Sequence, residues 1–123
     1  MIVITGGSGF IGSNLLSFLN DNKNKEILIV EELDTYQSKF DNLNDLEYLD
    51  CINKDTFIRD LNNNSSKYHN KISKIFHLGA CSKTTEPDRD YIMSTNLEYS
   101  KDLLKYSSNN NISLIYASSA SVY

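Results

Sequence analysis

Three glycines at three-residue spacing follow an apolar run near the start of the chain. Gly6, Gly9 and Gly12 lie within Thr-Gly-Gly-Ser-Gly-Phe-Ile-Gly, directly behind the Ile-Val-Ile of residues 2–4. A buried strand that runs into a glycine-rich turn and then a helix is how many proteins hold a dinucleotide pyrophosphate. The first glycine permits the turn, the second lets the backbone approach the phosphates, and the third lets the helix lie close to the sheet. The pattern predicts a dinucleotide-binding loop over residues 5–12, the alternative being a glycine turn that merely packs.

Two adjacent acids follow the second apolar run of the chain. Glu31 lies roughly twenty residues beyond the glycines, where a carboxylate can accept hydrogen bonds from the adenosine ribose and repel a 2′-phosphate. That chemistry favours NAD, whereas Lys39 could pair with a 2′-phosphate and favour NADP. Alternatively, Glu31 and Glu32 form a solvated strand end and Lys39 is a surface lysine. The residues themselves leave NAD and NADP both open.

Short apolar runs alternate with segments of helical periodicity along the whole chain. Strands are predicted over residues 2–5, 27–30, 46–49, 74–78 and 112–117. Helices are predicted over residues 10–20, 55–61 and 88–107. The alternation predicts an α/β fold, a Rossmann-type doubly wound parallel sheet with helices on both faces. We expect residues 1–123 to form one dinucleotide-binding domain, incomplete after about the fifth strand and without the substrate-binding region.

Composition excludes several other classes of function. The 123 residues carry a net charge of −4, which gives no electrostatic attraction to nucleic acid or anionic lipid. A membrane-spanning run of about 18 apolar residues is absent from the sequence, as is a secretory signal pattern. The two cysteines have neither metal-ligand nor disulfide spacing. We therefore expect a cytoplasmic protein with no nucleic-acid or membrane partner and no metal.

Four segments together resemble the extended short-chain dehydrogenase/reductase family, especially its nucleotide-sugar epimerases. They are the glycine loop, the His-Leu-Gly-Ala-Cys-Ser of residues 77–82, Asn96, and the serine-bearing strand end of residues 116–123. Within that family, residues 79–86 and 96–104 are similar to the ADP-L-glycero-D-manno-heptose 6-epimerases. The resemblance covers nearly the whole chain.

The resemblance implies a reaction in which hydride leaves C6″ of an ADP-heptose for bound NADP. A keto intermediate then accepts the hydride on its other face, and the product feeds lipopolysaccharide inner-core synthesis. The complete protein would be a homo-oligomeric isomerase acting on ADP-heptose or another nucleotide sugar. A nucleotide-sugar dehydratase, a reductase and a non-catalytic dinucleotide-binding fragment remain alternatives.

The resemblance also implies which residues contact the cofactor and the sugar. The implied cofactor residues are Gly6, Gly9, Phe10, Ile11, Gly12, Glu31, Glu32, Lys39, Lys54, Leu78, Gly79, Ala80, Cys81, Ser82 and Asn96. Lys83 and Thr84 would bind the sugar nucleotide, although Thr84 could equally cap the following helix. The chain departs from the heptose epimerases after the second strand, where Glu31-Glu32 replaces their Asp-Asn and the loop before Lys39 is one residue longer.

The catalytic residues are only partly represented in the sequence. Oxidation of a secondary alcohol needs a base, which the family supplies as a tyrosine followed four residues later by a lysine. No such pair occurs in these residues, so it is expected beyond Tyr123, and the 123-residue chain alone is expected to be inactive. Ser119 matches the serine that assists the base, with Ser118 a weaker match and ordinary strand-end bonding the alternative. We expect His77 to pack or form hydrogen bonds rather than catalyse.

Overall fold

A computed structural model describes residues 1–32, 41–63, 67–78 and 89–116, with residues 89–96 described by their backbone. Within these ranges the strands are β1 (Ile2–Thr5), β2 (Ile27–Glu31), β3 (Asp50–Asn53), β4 (Lys74–His77) and β5 (Ser113–Tyr116). The helices are α1 (Phe10–Asp21), α2 (Lys54–Asn62) and α3 (Arg89–Asn109). Among the described helices, none has the length and apolar character needed to cross a bilayer.

All neighbouring strands of the sheet are parallel, in the order β3-β2-β1-β4-β5. Ile4 of the central strand β1 is in register with Ile29 of β2 on one side and Phe76 of β4 on the other. The strand order reverses beside β1, so the carboxyl ends of β1 and β4 form a topological switch point, where open α/β sheets bind their ligands. The arrangement confirms the predicted Rossmann-type parallel sheet.

Apolar side chains fill both faces of the sheet, because successive residues of a strand point to opposite sides. On one face, Val3 and Ile75 pack with Phe57 of α2 and Leu103 of α3. On the other face, the core is formed by buried residues of β1, β2, α1 and the turn before β3. They are Ile4, Ile27, Ile29, Leu16 and Leu43. The helices therefore cover both faces, as predicted.

The prediction for the third strand is wrong. It was placed at residues 46–49, whereas β3 lies at Asp50–Asn53. As an edge strand, β3 has one neighbour and is only partly buried, so it lacks the apolar run that marks the inner strands. Residues 46–49 instead lead into β3, and Asn20 of α1 hydrogen-bonds both the N–H and the carbonyl of Glu47 there. The other elements match their predicted bounds to within about two residues.

Candidate dinucleotide-binding site

The glycine loop begins with a turn in the left-handed region of backbone conformation. Gly6 directly follows β1 and has a φ of 72°, which favours glycine because a side chain would be strained there. Its N–H donates to the carbonyl of Val30 at 2.8 Å, and its own carbonyl accepts the N–H of Gly9 at 3.1 Å. The loop is therefore tied to β2 and folded back on itself.

The first turn of α1 lies directly against the backbone of this loop. A Cβ added at Gly12 would lie 2.2 Å from the oxygen of Gly6 and 2.7 Å from the Cα of Gly7. A side chain at Gly12 is thus excluded by the backbone of the glycine loop itself. Gly7, which the sequence analysis did not single out, is also constrained, since its Cβ would lie 2.6 Å from Cδ1 of Ile29. By contrast, a Cβ at Gly9 would make only an ordinary contact at 3.4 Å.

The start of α1 supplies amide donors beside this loop. Gly9 is the N-cap and has no side chain to cap the helix, and the first helical bond runs from the N–H of Ser13 to its carbonyl at 2.8 Å. The amides of the first turn consequently have no carbonyl partner within the helix. Phe10 and Ile11 are 80% and 67% exposed, so apolar surface flanks these amides. Unpaired amides and the positive end of the helix dipole suit an anion such as a pyrophosphate.

Glu31, predicted to meet the ribose, contacts the glycine loop through Ser8. Its Oε2 accepts the Ser8 N–H at 3.2 Å and also the Ser8 hydroxyl. Ser8 is fully buried, and its carbonyl accepts the Nδ2 of Asn42 at 3.0 Å. Sequence reasoning missed Ser8 and Asn42. The available signal was Ser8 itself, the single polar residue between Gly6 and Gly12.

The ends of β2 and β3 bring two other predicted residues together. Nζ of Lys54, at the start of α2, lies 4.0 Å from Oε1 of Glu32. The carbonyl of Lys54 accepts the hydroxyl of Tyr99 at 3.0 Å, which connects α2 to α3. Burial, and secondarily the charge of Asp55, raises the pKa of Tyr99, so this hydroxyl stays protonated and donates.

A buried histidine connects the ends of β1 and β4 at the switch point. Nδ1 of His77 lies 2.7 Å from the hydroxyl of Thr5, and its Nε2 lies 3.0 Å from the hydroxyl of Ser100. The rings of Tyr99 and Tyr116 lie beside the imidazole, with centroid distances of 5.7 and 5.4 Å. Burial lowers the pKa of His77 to about 4, so the ring is neutral at pH 7. The expectation that His77 packs and forms hydrogen bonds is confirmed.

The remaining predicted residues divide into two groups. Leu78 lies at the switch point, where its N–H donates to the carbonyl of Thr5 at 3.1 Å. Asn96 lies on α3, where the backbone is described. The others lie outside the described residues and stay predictions. They are Lys39, Gly79, Ala80, Cys81, Ser82, Lys83, Thr84 and Ser119. Across the described ranges, no three acidic, histidine or cysteine side chains form a metal-binding group.

A glycine loop after β1, an acid after β2 and a switch point at β1 and β4 define a Rossmann-type dinucleotide-binding fold. The model of the NAD-dependent epimerase/dehydratase family matches residues 2–123. The chain therefore belongs to that family.

Solved structures of sugar-nucleotide epimerases are similar to this chain. A UDP-glucuronic acid 4-epimerase from Bacillus cereus, in complex with NAD, has a TM-score of 0.77 at 25% identity, covering 99% of this chain and 40% of that one. The Helicobacter pylori ADP-L-glycero-D-manno-heptose-6-epimerase has a TM-score of 0.74 at 28% identity, with coverages of 99% and 40%. A UDP-galactose 4-epimerase has a TM-score of 0.64 at 28% identity, with coverages of 99% and 39%. The chain thus spans about two fifths of the length of these proteins.

The buried, neutral imidazole predicts a specific dependence of stability on pH. Because the pKa of His77 is about 4 in the folded chain and near 6.5 when unfolded, only the unfolded chain takes up this proton between those values. The free energy of unfolding should fall by about 3 kcal/mol from this group as pH drops from 6.5 to 4. His77→Gln removes that contribution, whereas His69→Gln, at an exposed histidine, should not. Urea unfolding at pH 7.5 and 4.5 measures the difference, and equal pH dependence in the parent and His77→Gln contradicts it.

The glycine loop predicts opposite outcomes for two matched substitutions. Gly12→Ala forces a methyl group into the backbone of Gly6 and Gly7, and should lower the free energy of unfolding by about 2 kcal/mol or more. Gly9→Ala meets only an ordinary contact and changes the N-cap of α1, so it should lower the free energy of unfolding by about 1 kcal/mol or less. Chemical denaturation of both variants measures the values. Equal destabilisation would show that the tight contact at Gly12 does not govern folding of the loop.

Proposed function

We propose that this chain is the dinucleotide-binding part of a nucleotide-sugar epimerase. The observation that carries the proposal is the glycine loop, closed by Gly12 and flanked by a Ser8-bound carboxylate at Glu31. Membership of the epimerase/dehydratase family supports it. Bound to such a site, the dinucleotide would supply reversible hydride transfer at a carbon of the sugar that bears a hydroxyl group.

Each described residue has a defined task in this proposal. The amides of the loop and of the first turn of α1 bind the pyrophosphate, and the exposed side chains of Phe10 and Ile11 flank it. The carboxylate of Glu31 accepts the hydroxyls of the adenosine ribose. His77 holds the ends of β1 and β4 together beneath the ligand through its bond to Thr5. These residues bind and orient; the proton transfer belongs to residues outside them.

We further propose that the substrate is an ADP-heptose epimerised at C6″. The likeness to the Helicobacter pylori heptose epimerase supports this choice, as do the residues at 79–86 and 96–104. In the proposal, Ser119 assists a tyrosine base that lies beyond Tyr123 with its lysine. The sugar-binding region also lies there, and the complete enzyme is a cytoplasmic homo-oligomer.

The substrate proposal predicts the product made by a protein that extends beyond residue 123. With ADP-D-glycero-D-manno-heptose as substrate, we expect conversion to the L-glycero epimer. Proton NMR of the sugar measures this conversion. Ser119→Ala should reduce the turnover number by about a hundredfold, because it removes one group that assists proton transfer. Turnover of UDP-galactose or UDP-glucuronic acid in place of the heptose would contradict the proposed substrate. The proposal that the protein is a nucleotide-sugar epimerase would still stand.

The dinucleotide that we propose is NAD. The resemblance to heptose epimerases implies NADP, with Lys39 as the partner of its 2′-phosphate. The carboxylate that Ser8 holds at the end of β2 favours NAD, because it would repel a 2′-phosphate brought to the same ribose.

Calorimetric titration of the 123-residue chain with each dinucleotide tests this choice. We expect NAD to bind about tenfold more tightly than NADP, and Glu31→Gln to narrow that ratio because it removes the charge. Gly9→Ala should remain folded and weaken both dinucleotides, since its methyl group obstructs the approach of the phosphates. Tighter binding of NADP by the parent chain would contradict the choice of NAD and favour a role for Lys39.

A further inference from the structure

Ser8 of the glycine loop forms hydrogen bonds through its N–H, its hydroxyl and its carbonyl. Its N–H and its hydroxyl both reach Oε2 of Glu31, across 23 residues of sequence, and its carbonyl accepts Nδ2 of Asn42 at 3.0 Å. The serine side chain is fully buried, although it is polar. A buried hydroxyl is costly unless it forms hydrogen bonds, so its bond to the carboxylate accounts for a serine at this position.

The two bonds from Ser8 restrict the carboxylate of Glu31. Glutamate has three rotatable side-chain bonds, and two hydrogen bonds to one carboxylate oxygen limit the rotamers that Glu31 can adopt. Hydrogen bonds to an ionised acceptor are roughly twice as strong as neutral ones. Because both donors reach the same oxygen, Oε2, they set the direction in which the other oxygen points. The acid is therefore oriented before any ligand arrives.

Asn42 donates a hydrogen bond to the carbonyl of Ser8. It lies in a short helical turn whose next residue, Leu43, is buried in the core between α1 and the sheet. This turn is thereby anchored independently of the loop, and the Asn42 amide holds the Ser8 carbonyl against it. Ser8 thus has fixed partners on two elements, the end of β2 and the turn before β3.

We propose that Ser8 is a positioning residue, which orients the Glu31 carboxylate to accept the 2′-hydroxyl of the adenosine ribose. The inference rests on the proposed dinucleotide-binding function and adds to it the residue through which the acid acts. Ser8 itself makes no contact with the ribose in this account. Its effect on binding passes entirely through Glu31.

The test compares two ligands that differ only in the group that Glu31 recognises. NAD and its analogue lacking the adenosine 2′-hydroxyl are titrated calorimetrically into the parent chain and Ser8→Ala. We expect Ser8→Ala to weaken NAD about tenfold and the analogue less than about twofold, because only NAD has the hydroxyl that the oriented carboxylate accepts. In a Glu31→Ala background, which has no side-chain acceptor for Ser8, Ser8→Ala should cause no further loss.

Two other variants make the result specific. Ser13→Ala is the matched control, because Ser13 is also buried but its hydroxyl donates to the carbonyl of Phe10 at 3.2 Å within α1. It should leave the ratio between the two ligands unchanged. Asn42→Ala removes the support behind Ser8 at an exposed position, and should weaken NAD several-fold more than the analogue. It provides the same readout if Ser8→Ala does not fold.

Separate outcomes overturn the inference and the function on which it rests. If Ser8→Ala weakens NAD and the analogue equally, or adds its full loss to that of Glu31→Ala, Ser8 supports the loop rather than the acid and the inference fails. The dinucleotide-binding function stands in that case. If the parent chain binds no NAD at all, the proposed function fails, and the inference fails with it.

Discussion

Strand β1 runs through the middle of the sheet with both of its faces buried, and the candidate site depends on that position. Val3 packs into the core beneath α2 and α3, and Ile4 packs into the core beneath α1. The strand therefore has no freedom to shift, and the chain that leaves it at Thr5 always emerges between the ends of β2 and β4. One neighbour supplies the acid that meets the glycine loop, and the other supplies the histidine that bonds Thr5.

The titratable side chains next to the glycine loop, His77 and Glu31, lie in different environments. The imidazole of His77 is kept neutral, because burial makes its protonated form unfavourable and lowers its pKa to about 4. The carboxylate of Glu31 accepts hydrogen bonds from the N–H and the hydroxyl of Ser8. The ion pair of Lys54 and Glu32 is partly exposed and contributes about 1 kcal/mol or less. Hydrogen bonds to buried groups, rather than ion pairs, therefore define the geometry of the candidate site.

Local patterns in the sequence were sufficient to predict the positions of the inner strands and of the glycine loop. The apolar runs of β1, β2 and β4 are buried on both faces, and the glycine spacing required the turn at Gly6 and the close approach at Gly12. The edge strand β3 could not be located in this way, because Asp50–Asn53 contains no apolar run, whereas the other edge strand, β5, has one. The role of Asn42 could not be predicted either, because its partner Ser8 lies 34 residues away and no periodic pattern connects them.

The central claim is that the loop between β1 and α1, together with the end of β2, binds a dinucleotide. The most direct measurement is a titration of the isotopically labelled chain with NAD, followed by the backbone amide resonances. The account predicts saturable shifts concentrated at Gly6, Phe10, Ile11 and Glu31, with little change in the polar groove between α2 and α3 that contains Asn62 and Asp102. Shifts concentrated in that groove, or no shifts at the loop under saturating NAD, would contradict it.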